Sequence, residues 1–278
     1  GDIERLKERL ILAIHHSIES YVATVVLDAQ PSLNALTIED VTELRQVLAT
    51  LQNDDLVRAI IITGAGEKAF CVGANLKATM PPESSFIKGN LYSRDKDAVH
   101  GGYTRLIDLS DLEIWKPMIA AINGYCLGGG LELALQCDIR IASETASFAL
   151  PEVTVATIPA VGGVQYLMRT MGSANAMKLA LTGDRITAKE ALRVGIISDV
   201  LEKARLLPYA NELASRIARN GPLATQLVKR LVVETAHLSP RDFVQQSNLY
   251  WGLLRDSADR IEGRTAFAQK RDPEYKGQ

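Results

Sequence analysis

Residues 57–63 read Val-Arg-Ala-Ile-Ile-Ile-Thr and run into Gly64. Successive side chains of a strand point to opposite faces, so a run that is apolar at consecutive positions has to be covered on both sides. That requirement selects a layered α/β arrangement with a largely parallel sheet. The surrounding pattern agrees. Residues 21–28 are short and rich in β-branched side chains and predict a strand. Residues 37–53 open with Thr37, place Asp40 three residues later, and set Val41, Leu44, Val47, Leu48 and Leu51 at helical spacing. Residues 118–122 predict a second buried strand, a glycine turn follows, and 130–136 start a helix. Residues 138–142 predict another strand. From about residue 206 strand signals stop, and 208–219, 222–236, 240–254 and 258–271 all carry helical spacing. The expected division is therefore an α/β core with the site over 1–205 and a helical region over 206–278. The apolar side chains Leu249, Tyr250, Trp251, Leu253 and Leu254 suit packing between subunits. Residues 77–103, with Pro81-Pro82, Ser84-Ser85 and Gly101-Gly102, are expected to form a loop at the mouth of a site.

Composition narrows the function classes. With 278 residues, 47% hydrophobic and 23% charged, the chain can build a sizeable core. A net charge of −2 without a Lys/Arg run gives no electrostatic reason to expect nucleic acid or an anionic membrane as partner. Three cysteines, Cys71, Cys126 and Cys137, without C-x-x-C spacing argue against a disulfide framework or zinc site and suit a reducing compartment. No apolar stretch approaches the roughly 20 residues of a membrane span. The opening Gly1-Asp2-Ile3-Glu4-Arg5 does not read as a signal peptide.

The chemistry concentrates in residues 123–152, where two glutamates stand in apolar sequence. Glu132 lies in Asn123-Gly124-Tyr125-Cys126-Leu127-Gly128-Gly129-Gly130-Leu131-Glu132-Leu133-Ala134-Leu135, and Glu152 in Phe148-Ala149-Leu150-Pro151-Glu152-Val153. A buried carboxylate is costly unless it is paired, hydrogen-bonded or kept protonated, and two in one dry pocket make a natural acid and base. Gly128-Gly129-Gly130 sits between a strand and a helix, where backbone N–H groups and the helix dipole suit an oxyanion. A second loop, Phe70-Cys71-Val72-Gly73-Ala74-Asn75-Leu76-Lys77, follows another strand and could supply a second N–H. Neither loop has P-loop or dinucleotide spacing. His15, His16, His100 and His237 show no ligand spacing and read as surface residues. Asp138 and Arg140 read as a structural ion pair, and Cys71 and Cys126 as small core residues.

Five segments in order carry a resemblance. They are Asn34-Ala35-Leu36, residues 70–77, residues 123–135, residues 148–152, and Leu181-Thr182-Gly183-Asp184-Arg185-Ile186. Over roughly residues 18–275 the chain resembles the crotonase superfamily, and within it the enoyl-CoA hydratases. The resemblance implies a ββα spiral core with a C-terminal helical trimerisation region, a homotrimer or dimer of trimers, and an acyl-CoA thioester substrate. It implies no separate cofactor and no metal, coenzyme A being part of the substrate. It further implies lyase activity in fatty-acid β-oxidation, in the cytoplasm or, for a processed eukaryotic chain, the mitochondrial matrix. Ala74 and Gly129 match the two oxyanion-hole positions. Glu132 and Glu152 match the two catalytic glutamates, with Glu132 as the base toward water and Glu152 as the proton donor to C2. Close carboxylates titrate as a coupled pair, so this division is a working assignment. For coenzyme A the resemblance suggests Ser32 and Leu33, then Ala74, Asn75, Leu76 and Lys77, with Phe267 and Lys270 reaching a neighbouring subunit's nucleotide.

The chain departs from the common hydratase pattern at Gln30-Pro31, at Asn75, and at Ala160 and Tyr166 within Pro159-Ala160-Val161-Gly162-Gly163-Val164-Gln165-Tyr166. These changes spare both glutamates and so bear on substrate identity. Hydration of a methylglutaconyl- or dienoyl-CoA, dehydration of a hydroxyacyl-CoA, and double-bond isomerisation stay open on the sequence alone.

Overall fold

The computed structural model describes residues 13–75 and 103–278. In chain order these form β1 (Ile14–Glu19), β2 (Val22–Leu27), α1 (Ile38–Gln52), β3 (Ala59–Gly64), β4 (Ala69–Cys71), β5 (Met118–Ile122), β6 (Tyr125–Leu127), α2 (Gly129–Leu135), β7 (Ile139–Ser143) and β8 (Ser147–Ala149). Then come α3 (Gly163–Met171), α4 (Ser173–Thr182), β9 (Ile186–Thr187), α5 (Ala188–Val194) and β10 (Asp199–Leu201). The chain ends in α6 (Leu206–Ala218), α7 (Pro222–Thr235), α8 (Pro240–Arg255) and α9 (Ala258–Gln269). Residues 76–102, which hold His100 and all but the last residue of the loop expected at 77–103, lie outside the described part.

The strands form two sheets. The larger has the order β1-β2-β3-β5-β7-β10, parallel except for the β1–β2 hairpin. The smaller has the order β4-β6-β8-β9, with only β8–β9 antiparallel. The strands β3, β5 and β7 lie in the first sheet, and the short strand after each, β4, β6 and β8, lies in the second. Each turn of the chain thus lays one strand in each sheet, the ββα spiral that the resemblance implies.

The apolar run at 57–63 becomes the centre of this arrangement. All six residues of β3 are buried. Ile60 and Ile62 join a core cluster with Val25, Leu27 and the α1 side chains Val41, Leu44, Leu48 and Leu51. Ala59 and Ile61 join a second cluster with Ile119, Ala121 and Ile141. Two-fold side-chain alternation therefore serves two cores at once. Helix α1 starts at the expected capping box: Thr37 Oγ1 accepts from the Asp40 N–H at 3.2 Å, and Asp40 Oδ2 accepts from the Thr37 N–H at 2.8 Å. The second core is closed by α6, whose Leu206, Ala210, Ala214 and Ala218 face the sheet. Alanines at every fourth position bring a helix close to a sheet surface. The region expected at 206–278 is helical, and its first helix completes the core of the sheet.

One expectation is overturned. Asp138 and Arg140 do not pair with each other. Asp138 Oδ2 accepts from the Met118 N–H at 2.7 Å and meets Lys229 Nζ of α7 at 2.8 Å. Arg140 donates to the carbonyls of Cys137 and Ile196, both at 2.6 Å. The two lie at i and i+2, but the aspartate caps the start of β5 and the arginine ties down two turns. Lys229 also donates to Lys116 O at 3.1 Å, so α7 is latched to the start of β5. His15, His16 and His237 are exposed, and the three cysteines are buried and unbridged. Burial pushes the Cys71 and Cys137 thiols up to about 12. Among the described residues no helix is long and apolar enough to cross a membrane.

The α1 cap gives a direct test of local stability. Thr37→Ala removes one half of the box and is expected to lower stability by about 1 kcal/mol. Urea unfolding should show a lower midpoint at unchanged slope; an unchanged midpoint would remove the cap from the account.

Candidate active site

The site is built where β6 turns into α2 and presses against the end of β4. Gly128 takes φ 54° and ψ −129°, and α2 starts at the next residue. The first N–H groups of a helix have no acceptor within it. The contact with β4 is too close for a side chain: a methyl on Gly130 would lie 2.1 Å from the Cys71 carbonyl oxygen. On the facing loop Gly73 has φ 92°, and a methyl there would lie 2.8 Å from the Gly129 nitrogen. A methyl on Gly129 would lie 3.8 Å from the Ala74 nitrogen. The backbone at Ala74 and at Gly129 is thus in close approach.

Ala74 is held by the Asn34-Ala35-Leu36 segment. Leu36 and Ala74 form a parallel bridge, with the Leu36 N–H on Gly73 O at 2.8 Å and the Asn75 N–H on Leu36 O at 3.0 Å. Two buried asparagines fix the preceding loop. Asn34 Nδ2 donates to Ala65 O and Ala69 O at 3.1 and 2.9 Å. Asn123 Nδ2 donates to Gly66 O and Ala69 O at 3.0 and 3.1 Å, while its Oδ1 accepts from the Gly64 N–H at 3.1 Å. Both asparagines stood in segments read from the sequence, but neither was singled out. For Asn123 the signal was its place directly after the buried strand at 118–122, because a buried amide must find partners.

Glu132 lies in the first turn of α2 and is 3% exposed. Its Oε1 accepts from the Val161 N–H at 2.8 Å and the Gly163 N–H at 2.9 Å. Desolvation, with the nearby charge of Glu152 as a lesser cause, outweighs these hydrogen bonds and lifts its pKa to about 7. Glu152 stands on the single 3₁₀ turn Pro151–Val155 after β8. Its Oε1 is 3.1 Å from where a methyl on Gly128 would be. Its Oε2 is buried and has no hydrogen-bond partner among the described residues. Burial raises this carboxyl as well. Two carboxyl groups with raised pKa values therefore interact with each other, one of them beside the turn at Gly128. This arrangement can move protons at neutral pH beside a stabilised oxyanion.

The remaining expected residues are placed unevenly. Ser32 Oγ donates to Ala29 O at 2.9 Å and Ala35 O at 3.3 Å, which engages it within its own turn. Leu33, at φ 57°, lines a cavity of about 470 Å³ with Pro31, Gly66 and Lys68. Asn75 is beside the oxyanion loop, whereas Leu76 and Lys77 lie outside the described residues. Phe267, 88% exposed, lines a separate cavity formed by α9, the start of α7, Leu254 and Tyr275, and Lys270 caps α9 at φ 56°. Within one chain the structure does not bring these two to the glutamates. Ala160 and Tyr166 both wall a cavity of about 400 Å³ behind the Glu132 loop.

Comparison with known proteins extends these observations. Residues 17–278 match the model of the enoyl-CoA hydratase/isomerase family. The (E)-benzylidenesuccinyl-CoA hydratase of Thauera aromatica is 40% identical over 260 residues, covering 94% of this chain and 97% of that protein. The carnitinyl-CoA dehydratase of Proteus mirabilis is 39% identical over 269 residues, covering 95% and 98%. Among solved structures, an enoyl-CoA hydratase from Bacillus anthracis superposes with a TM-score of 0.87 at 36% identity, covering 96% of this chain and 100% of that one.

The raised pKa of Glu132 carries a stability signature. A carboxyl that holds its proton more tightly when folded stabilises the fold fully below its unfolded pKa near 4.5, and this contribution is lost as pH rises to about 7. The shift corresponds to ~3 kcal/mol. Glu132→Gln keeps the acceptor for both N–H groups and does not titrate. The stability of this variant relative to wild type should therefore rise by up to that amount between pH 4.5 and 8. Denaturant melts across that range check it; a constant difference would mean that Glu132 titrates normally.

Proposed function

The chain belongs to the enoyl-CoA hydratase/isomerase family, and from that membership we propose that it adds water syn across the C2=C3 bond of a 2-enoyl-CoA thioester to give the 3-hydroxyacyl-CoA. The observation that carries this reading is the pair of carboxyl groups with raised pKa values, Glu132 buried and Glu152 with one buried oxygen, near the closely approaching backbone of Ala74 and Gly129. The thioester oxygen lies between the N–H groups of Ala74 and Gly129. Glu132 takes a proton from water as the oxygen bonds to C3. The electron pair of the double bond moves toward the thioester oxygen, where the two N–H donors stabilise the enolate. Glu152 delivers a proton to C2 as the carbonyl re-forms. The same groups in reverse remove water, the direction that the name of the Proteus dehydratase describes for that protein.

The binding and assembly of the substrate follow the same reading. Asn75 and the loop at Ser32 and Leu33 face the coenzyme A portion. Phe267 and Lys270 complete the nucleotide site of a neighbouring subunit, which explains why they lie apart from the glutamates within one chain. A trimer or dimer of trimers is supported by Val228, Val232 and Val233 on α7 and Leu249, Trp251 and Leu253 on α8, all exposed on the single chain. Three buried free thiols suit a reducing, cytoplasmic setting.

Loss of enone absorbance with crotonyl-CoA tests the reaction. Wild type should hydrate it, and Glu132→Gln and Glu152→Gln should each lower kcat by roughly 10²-fold or more. Isomerisation needs one acid/base only, so a variant that keeps full turnover would exclude the two-glutamate mechanism.

A further inference from the structure

We propose that the cavity behind the Glu132 loop receives a carboxylate on the acyl chain of the substrate, with Arg169 as the recognising side chain. This inference rests on the hydratase reading and names its substrate class, an acyl-CoA in which the acyl group is itself an acid.

Position comes first. Val161 and Gly162 wall the cavity of about 400 Å³. The N–H groups of Val161 and Gly163 hold Glu132 Oε1. The cavity therefore adjoins the loop that fixes the proposed base, and we place in it the part of the acyl chain beyond C3.

The wall chemistry comes next. Gln165, Tyr166 and Arg169 of α3 line it, with Arg105 and Asp108 opposite. An alkyl tail in this space would cover polar groups without replacing their hydrogen bonds, which is unfavourable. The charges are unequally available. Asp108 Oδ1 already accepts from the Ser110 N–H at 2.9 Å. Arg105 and Asp108 both have further partners of their own. Arg169 lines the cavity, is exposed, and makes no hydrogen bond or ion pair among the described residues, so its N–H donors are uncommitted. Tyr166 lies three residues before it on the same helix face, and burial raises its phenol so that the hydroxyl stays a donor at neutral pH. A planar guanidinium beside a hydroxyl donor matches a carboxylate. A quaternary ammonium group would meet the same guanidinium with only an engaged aspartate in return.

Paired ligands that differ only in the end group test this without relying on turnover. Calorimetry with butyryl-CoA and glutaryl-CoA should show the second binding about tenfold more tightly. Arg169→Gln should erase that difference while leaving butyryl-CoA binding unchanged, and Arg169→Lys should keep part of it. Equal binding of the two esters by wild type, survival of the preference in Arg169→Gln, or tighter binding of 4-trimethylammoniobutyryl-CoA would overturn the proposal. Hydration assays with crotonyl-CoA and glutaconyl-CoA separate it from the underlying reading. Hydration of both at equal KM sinks the carboxylate site alone. A carboxylate preference in binding with hydration of neither ester sustains the site and sinks the hydratase reading.

Discussion

Everything at the site depends on how closely the start of α2 approaches the end of β4. The 2.1 Å separation between the Cys71 carbonyl oxygen and a methyl placed on Gly130 leaves room for a hydrogen atom and nothing larger. Any side chain there would push the helix outward. The Gly129 N–H would move away from the Ala74 N–H, and Glu132, one turn along the same helix, would move away from Val161 and Gly163. One steric constraint thus sets the spacing of the Ala74 and Gly129 backbone and the position of a carboxyl group together. The constraint is supported from below by Asn34 and Asn123, which both donate to the Ala69 carbonyl and so fix the strand that α2 meets.

The electrostatic arrangement draws on the same closeness. Glu132 is buried against a dry helix turn and compensated by only two backbone N–H groups, so its proton affinity rises into the neutral range. Among the described residues Glu152 leaves one buried oxygen without a hydrogen-bond partner. Both features oppose stability and favour proton transfer, the usual pattern where structure is held against its own preference by a surrounding scaffold. That scaffold is the two-sided core around β3, closed on one face by α1 and on the other by α6.

Much of this was legible from residues. The run at 57–63 announced a strand covered on both faces, because consecutive apolar side chains cannot all face one core. Thr37 with Asp40 announced the start of α1. Glu132, Glu152, Ala74 and Gly129 were singled out, and their placement in space is consistent with one site. Other elements were silent. The strands of the smaller sheet are two or three residues long, too short to show alternation. Helices α3, α4 and α5 are seven to ten residues long and end at glycines, too short to stand out from the turns around them. Asp138 and Arg140 looked like partners because they are near in sequence and opposite in charge, yet the partner of Asp138 is Lys229, ninety-one residues away in the chain.

The sequence by itself determined the layered α/β class, the capped helix, the positions of the buried carboxyl groups and the family resemblance, since each is written in spacing or local residue type. Tertiary structure alone decided which backbone N–H groups hold Glu132, that Leu36 bridges Ala74, that α6 closes the second core, and that Arg169 stands uncommitted beside the Glu132 loop. Those facts depend on contacts between segments far apart in the chain. Their energies come from close packing and desolvation, which are properties of three-dimensional neighbours and leave no local pattern in the order of residues.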